Sequence, residues 1–240
     1  MMRKYLLLIS NSTNYGEEYL GWPQPLIKKF FSETSVHRIL FIPYAGVTVS
    51  WNDYTERVAG VFNNLGYEIY SVHHEDNPIK AVERAEAIAV GGGNTFQLVA
   101  MMQKLNLMEA IRRRVIEGMP YTGWSAGANV ACPSLKTTND MPIVQPQSFE
   151  CLNLVPFQIN PHYLDANPEG HGGETREQRI LEFVAANPDT YVAGLREATA
   201  LLVKDDALEL LGKRSMRLFK ESQEPMEFAP GADINFLLKV

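Results

Sequence analysis

The sequence predicts an α/β fold built on a largely parallel sheet. Short, continuous apolar runs recur without polar alternation, as in strands covered on both faces. Segments with apolar residues at helical spacing lie between them. The two most unusual loops, Gly91-Gly92-Gly93-Asn94 and the stretch around Ser125, each follow a predicted strand, and open α/β sheets place their sites at such carboxyl ends.

Residues 5–10 are the first apolar run and the first predicted strand; a polar loop leads from it to a helix over 25–31. A second strand covers 39–42 and stops at Pro43. Trp51, Tyr54, Val58, Val61, Phe62 and Leu65 share one helical face, and Gly66 ends that helix. A strand over 67–72, a short helix over 78–85 and a strand over 87–90 follow, then helices over 96–105 and 108–117. Residues 120–124 form the fifth strand, which delivers Ser125 to a small-residue segment ending at Ala131. Residues 132–161 hold several prolines and no long periodic pattern, so loops and short strands over the sheet edge are expected there. Residues 175–186 read as a helix. Residues 190–194, 200–204 and 207–211 read as strands, the last two joined by a tight turn at Asp205-Asp206. Short strands and turns occupy the tail from 212 onward.

With 45% hydrophobic and 21% charged residues, the 240-residue chain suits one globular domain over 1–240. Its net charge of −6 and lack of a basic run argue against nucleic acid as a partner. An acidic ligand would need a local cation, because the overall field repels it. Cys132 and Cys151 are read as reduced, small and buried. The apolar run at 5–9 is too short for a signal peptide, and no segment has the length to span a bilayer, so the cytosol is the expected compartment.

The stretch Gly123-Trp124-Ser125-Ala126-Gly127 has the form of a nucleophile elbow, a sharp strand-to-helix turn that lifts a serine hydroxyl above the sheet. The backbone N–H of Ala126 would then face a developing oxyanion, and the glycine-rich loop at Gly92 and Gly93 would supply a second donor. That loop lacks the spacing of a dinucleotide fingerprint and the lysine of a P-loop, so Asn94 is read as a substrate ligand. Among the five histidines, His37, His73 and His74 read as surface residues without metal-ligand spacing. His162 stands after Pro161 at the end of an apolar run, where an active-site base would stand, and His171 lies between glycines. No histidine follows His171, which disfavours an ordinary α/β-hydrolase, whose triad ends in histidine. For the orienting acid, Asp140, Asp165 and Glu197 are open, with position at a strand end favouring Glu197.

Five blocks then carry a resemblance: Gly91-Gly-Gly-Asn-Thr-Phe-Gln-Leu98, Gly123-Trp-Ser-Ala-Gly-Ala128, Thr137-Thr-Asn-Asp-Met-Pro-Ile143, Gln158-Ile-Asn-Pro-His162 and Gly173-Glu-Thr-Arg-Glu-Gln-Arg179. Over roughly residues 5–212 the chain resembles the S51 serine peptidases, the peptidase E or aspartyl dipeptidase family, related to cyanophycinase. The resemblance implies a three-layer, flavodoxin-like fold close to the class I glutamine amidotransferases. It also implies a metal- and cofactor-free Ser-His-Glu triad of Ser125, His162 and Glu197, with Asp140 as rival orienting acid or a structural residue. The implied substrate is a dipeptide with N-terminal aspartate, its side chain met by Arg176, with Asn94 and His171 as further contacts. The rivals are a cyanophycinase-like hydrolase of β-aspartyl peptides and a non-catalytic small-molecule-binding module. A monomer and a homodimer are both compatible with the chain.

Overall fold

A computed structural model describes residues 4–167, 169–170 and 172–239. Strands β1 (Tyr5–Ile9), β2 (Arg38–Ile42), β3 (Glu68–Ser71), β4 (Ala87–Val90), β5 (Tyr121–Trp124), β8 (Thr199–Lys204) and β9 (Ala207–Gly212) form one seven-stranded sheet in the order β3-β2-β4-β5-β1-β8-β9. The first five are mutually parallel. β8 and β9 extend the sheet antiparallel, and their hairpin turns at Asp205, which carries the positive φ of +56° that a tight turn demands.

The apolar runs are continuous because both faces of these strands are covered. Period-two alternation sends Leu7, Ile9, Ile39, Phe41, Ala89 and Trp124 to one side. There they meet α1 (Gln24–Ser32) and α2 (Trp51–Leu65) through Phe31, Val58 and Phe62. Leu6, Leu8, Leu40, Ile42, Ile88 and Val90 face the other side. They pack on α3 (Pro78–Arg84), α4 (Thr95–Lys104), α5 (Leu107–Ile116) and the short α6 (Ala126–Asn129). The result is helix, sheet, helix in three layers, the predicted class. Helix α2 starts where the Ser50 hydroxyl accepts the Asp53 N–H at 3.1 Å and stops at Gly66, whose N–H bonds back to Asn63 at 3.0 Å.

The second half departs from the expectation of a single sheet edge. β6 (Gln158–Asn160), β7 (Val192–Gly194), β10 (Met216–Phe219) and β11 (Met226–Phe228) make a separate four-stranded sheet in the order β11-β10-β7-β6, with α7 (Arg176–Ala186) packed on β10. Strands of three or four residues carry little periodic trace, so residues 190–194 read as a strand while their pairing into a second sheet leaves no mark in the pattern. Ser10, buried at the end of β1, ties the two sheets together. Its N–H bonds the Thr199 carbonyl at 2.9 Å, and its hydroxyl donates to the Leu195 carbonyl and accepts the His162 N–H, both at 2.8 Å. The carboxyl ends of β1, β4 and β5 therefore meet those of β6 and β7 at one place. Among the described residues, no helix is long and apolar enough to cross a membrane.

Candidate active site

Ser125 sits between β5 and α6 with φ +53° and ψ −111°, a conformation that a non-glycine residue keeps only where its surroundings impose it. The flanking glycines are what allow the turn. A Cβ on Gly123 would run into the Gly127 carbonyl, and one on Gly127 into the Val90 carbonyl. The elbow thus presses against the neighbouring strand at van der Waals distance, and the serine side chain is left half-buried at the rim.

The loop after β4 lies against this serine. A side chain on Gly92 would come within 3.0 Å of the Ser125 Cβ. Tyr54, from α2, donates its hydroxyl hydrogen bond to the Gly92 carbonyl at 2.9 Å and itself accepts from Trp124 Nε1 at 3.2 Å. A trans peptide points its N–H opposite to its carbonyl, so this anchor turns the Gly93 N–H the other way. The Gly91 and Asn94 amides are spent on the Ile42 and Ala45 carbonyls. Those of Gly92, Gly93 and Ala126 have no acceptor among the described residues, which suits them to an oxyanion.

His162 follows β6 with φ +39°, its ring Nε2 3.1 Å from Ser125 Oγ. Burial holds the imidazole below the ordinary histidine pKa, and Arg176 lowers it further, against the charges of Asp140 and Glu197. A neutral ring at neutral pH is the form that can accept a proton.

The acids divide by their partners. One oxygen of Asp140 accepts the Thr95 N–H at 2.7 Å, the Thr95 hydroxyl at 2.6 Å and the Thr138 hydroxyl at 3.0 Å. Asp140 is therefore a clamp on the start of α4. Asp165 is bound by Arg196. Glu197, half-buried after β7, has a charge that favours the imidazolium, but no hydrogen bond joins it to His162 among the described residues. The side chain beside His162 Nδ1 is Asn139, whose Nδ2 lies 3.5 Å away and donates to the Pro161 carbonyl at 2.7 Å.

Arg176 opens α7 behind a capping box made by Thr175 and Gln178. It lines a small cavity with Asn139, Asp140 and Asn160, and it has no ion-pair partner among the described residues. Asn94 is the N-cap of α4: its oxygen accepts the Gln97 N–H at 3.0 Å and its Nδ2 donates to the Met141 carbonyl at 2.9 Å. Its amide is thus engaged in the fold. His171 lies outside the described residues. Both cysteines are free and buried, and burial pushes their thiols well up.

Ser10, Tyr54 and Asn139 escape sequence reasoning. Ser10 alone carried a usable signal, as a polar residue closing a buried strand. The arrangement as a whole can perform acyl transfer: a half-buried hydroxyl at the rim, a neutral imidazole in reach and, beside them, amides without an acceptor among the described residues.

Residues 6–211 match the family model described as Peptidase family S51. The chain is 50% identical to a peptidase E of a Nostoc species, covering 99% of this chain and 98% of that one. It is 46% identical to a peptidase E of Streptomyces coelicolor, over 98% of this chain and 95% of that one. The crystal structure of a peptidase from an acI-B1 actinobacterium superposes with a TM-score of 0.71 over 97% of each chain at 21% identity, which shows the shared fold. This chain belongs to peptidase family S51 and is a serine-type peptidase.

Proposed function

We propose that the protein hydrolyses dipeptides with an N-terminal aspartate, with Ser125 as nucleophile, His162 as general base and acid, and Glu197 as the carboxylate that supports the imidazolium. The observation that carries the reading is the 3.1 Å approach of His162 Nε2 to the oxygen of a serine held in a strained elbow. Ser125 Oγ attacks the aspartyl carbonyl carbon while its proton passes to His162 Nε2. The oxyanion is held by the amides of Ala126 and of Gly93, with Gly92 as the alternative donor. Each such donor contributes about 3–4 kcal/mol to barrier lowering. His162 returns the proton to the leaving nitrogen and the C–N bond breaks. Water then attacks the acyl-enzyme, gives its proton to His162, and the Ser125 ester bond breaks.

Arg176 is the proposed partner of the aspartate side chain. Its planar fork suits a carboxylate, and its half-buried place at the helix start removes competing water. The Asp-X reading is tested by hydrolysis of Asp-Leu, Glu-Leu, Asn-Leu, Ala-Leu and β-Asp-Leu in EDTA. Cleavage of Asp-Leu alone is expected. Cleavage confined to β-Asp-Leu would transfer the enzyme to the cyanophycinase-like class, and cleavage of none would refute the reading.

A further inference from the structure

An Asp-X dipeptide carries two carboxylates, on the aspartate side chain and at the C-terminus. The reading above employs one cation, Arg176, in a cavity with Asn139 and Asp140. The larger cleft of about 540 Å³ in front of Ser125 contains another, Arg57, in a wall that also holds Tyr19 and Val49.

Arg57 is exposed on α2, one turn after the buried Tyr54, and lies within the cleft that the serine shares. Its guanidinium stands 5.6 Å from the centre of the Tyr19 ring and has no ion-pair partner among the described residues. Its charge reaches the Tyr19 and Tyr54 hydroxyls, and Tyr54 holds the Gly92 carbonyl beside Ser125. A cation-aromatic stack fixes the plane of the guanidinium while leaving its N–H edge free. Beside it the cleft is lined by Val47 and Ile143, large apolar side chains left 53% and 50% exposed. Apolar surface next to an unneutralised fork is the chemistry that receives an apolar residue ending in a free carboxylate. The net charge of −6 makes such a local cation necessary, because the long-range field opposes an anionic substrate.

We infer that Arg57 binds the C-terminal carboxylate of the residue after aspartate, so that Val47, Ile143 and Arg57 together select an apolar residue with a free C-terminus. This rests on the Asp-X reading. It makes the enzyme a dipeptidase by recognition of the chain end rather than by a closed cleft.

The test compares kcat/KM for Asp-Leu and for Asp-leucinamide, which differs only in its capped carboxylate, in the unaltered enzyme and in Arg57→Ala and Arg57→Lys. A charge-assisted bond to a carboxylate corresponds to a preference of about 10- to 100-fold for the free acid. Arg57→Ala should bring the two substrates to within about 3-fold of each other, through a rise in KM for the acid, as loss of uniform binding requires. Arg57→Lys should keep part of the preference, since it keeps the charge and loses the fork. An equal fall on both substrates would overturn the inference, as would a preference that survives in Arg57→Ala. Absence of Asp-Leu cleavage by the unaltered enzyme would instead refute the Asp-X reading, and this inference with it.

Discussion

Replacing Ser10 by alanine should damage stability and turnover together. The Ser10 hydroxyl is buried and makes two bonds of 2.8 Å, one to the Leu195 carbonyl and one from the His162 N–H. The Leu195 carbonyl also accepts the Tyr163 N–H at 2.8 Å, so it keeps a partner in the variant. The His162 N–H does not. Leaving a buried donor unmade costs about 1–3 kcal/mol and losing the second bond about 0.5–1.5, which gives about 1.5–4.5 kcal/mol in all. For a chain of this size that is a fall in Tm of roughly 3–18 °C. The same bond holds His162 at its φ of +39°, so its loss lets the ring drift from Ser125. A misplacement of about 1 Å can cost on the order of 100-fold in rate, so kcat for Asp-Leu should fall by about 10- to 100-fold with KM little changed. Thermal melting and steady-state kinetics on one preparation measure both. A Tm within about 2 °C of the unaltered protein, with kcat unchanged, would refute the reasoning.

Three further predictions concern charge and one concerns a brace. Because neutral imidazole is the base, kcat/KM should be lost as pH falls through the lowered pKa of His162. Removing the Arg176 cation frees the imidazolium to form, so in Arg176→Ala that acidic limb should move to higher pH; Glu197→Gln removes an opposing charge and should move it lower. Displacements in the reverse directions, read from pH–rate profiles, would contradict the electrostatics assigned to this site. Asp140→Ala strands the Thr95 N–H at the start of α4 and should lower stability by about 1–3 kcal/mol in urea melts. An unchanged urea midpoint would show that Asp140 is no clamp.

What could be read in advance depended on whether a residue's role lies in its own neighbourhood. Leu6 to Ile9 announce a doubly covered strand because every position is buried, whichever face it points to. Gly123 and Gly127 announce the elbow because neither leaves room for a side chain, Gly123 lying against the Gly127 carbonyl and Gly127 against the Val90 carbonyl. The strand 158–160 ends beside Pro161, so His162 stood out as well. Roles made by tertiary approach leave no such mark. Ser10 meets His162 from 152 residues away, and Arg57 enters the cleft from a helix face whose pattern is that of any solvated surface. The second sheet stayed hidden for a related reason: residues 190–194 read as a strand, but their parallel partner β6 has only three residues and is joined to β7 through α7, so nothing local marks the pairing.

The identity of the nucleophile is tested most directly by trapping the acyl-enzyme: Asp-Leu is mixed with excess protein, quenched in acid, and the intact mass read for the unaltered enzyme and for Ser125→Ala. The account predicts an aspartyl adduct on the unaltered enzyme, located to the peptide holding Ser125, and neither adduct nor leucine release from the folded variant. Leucine release by Ser125→Ala at an undiminished rate would contradict it.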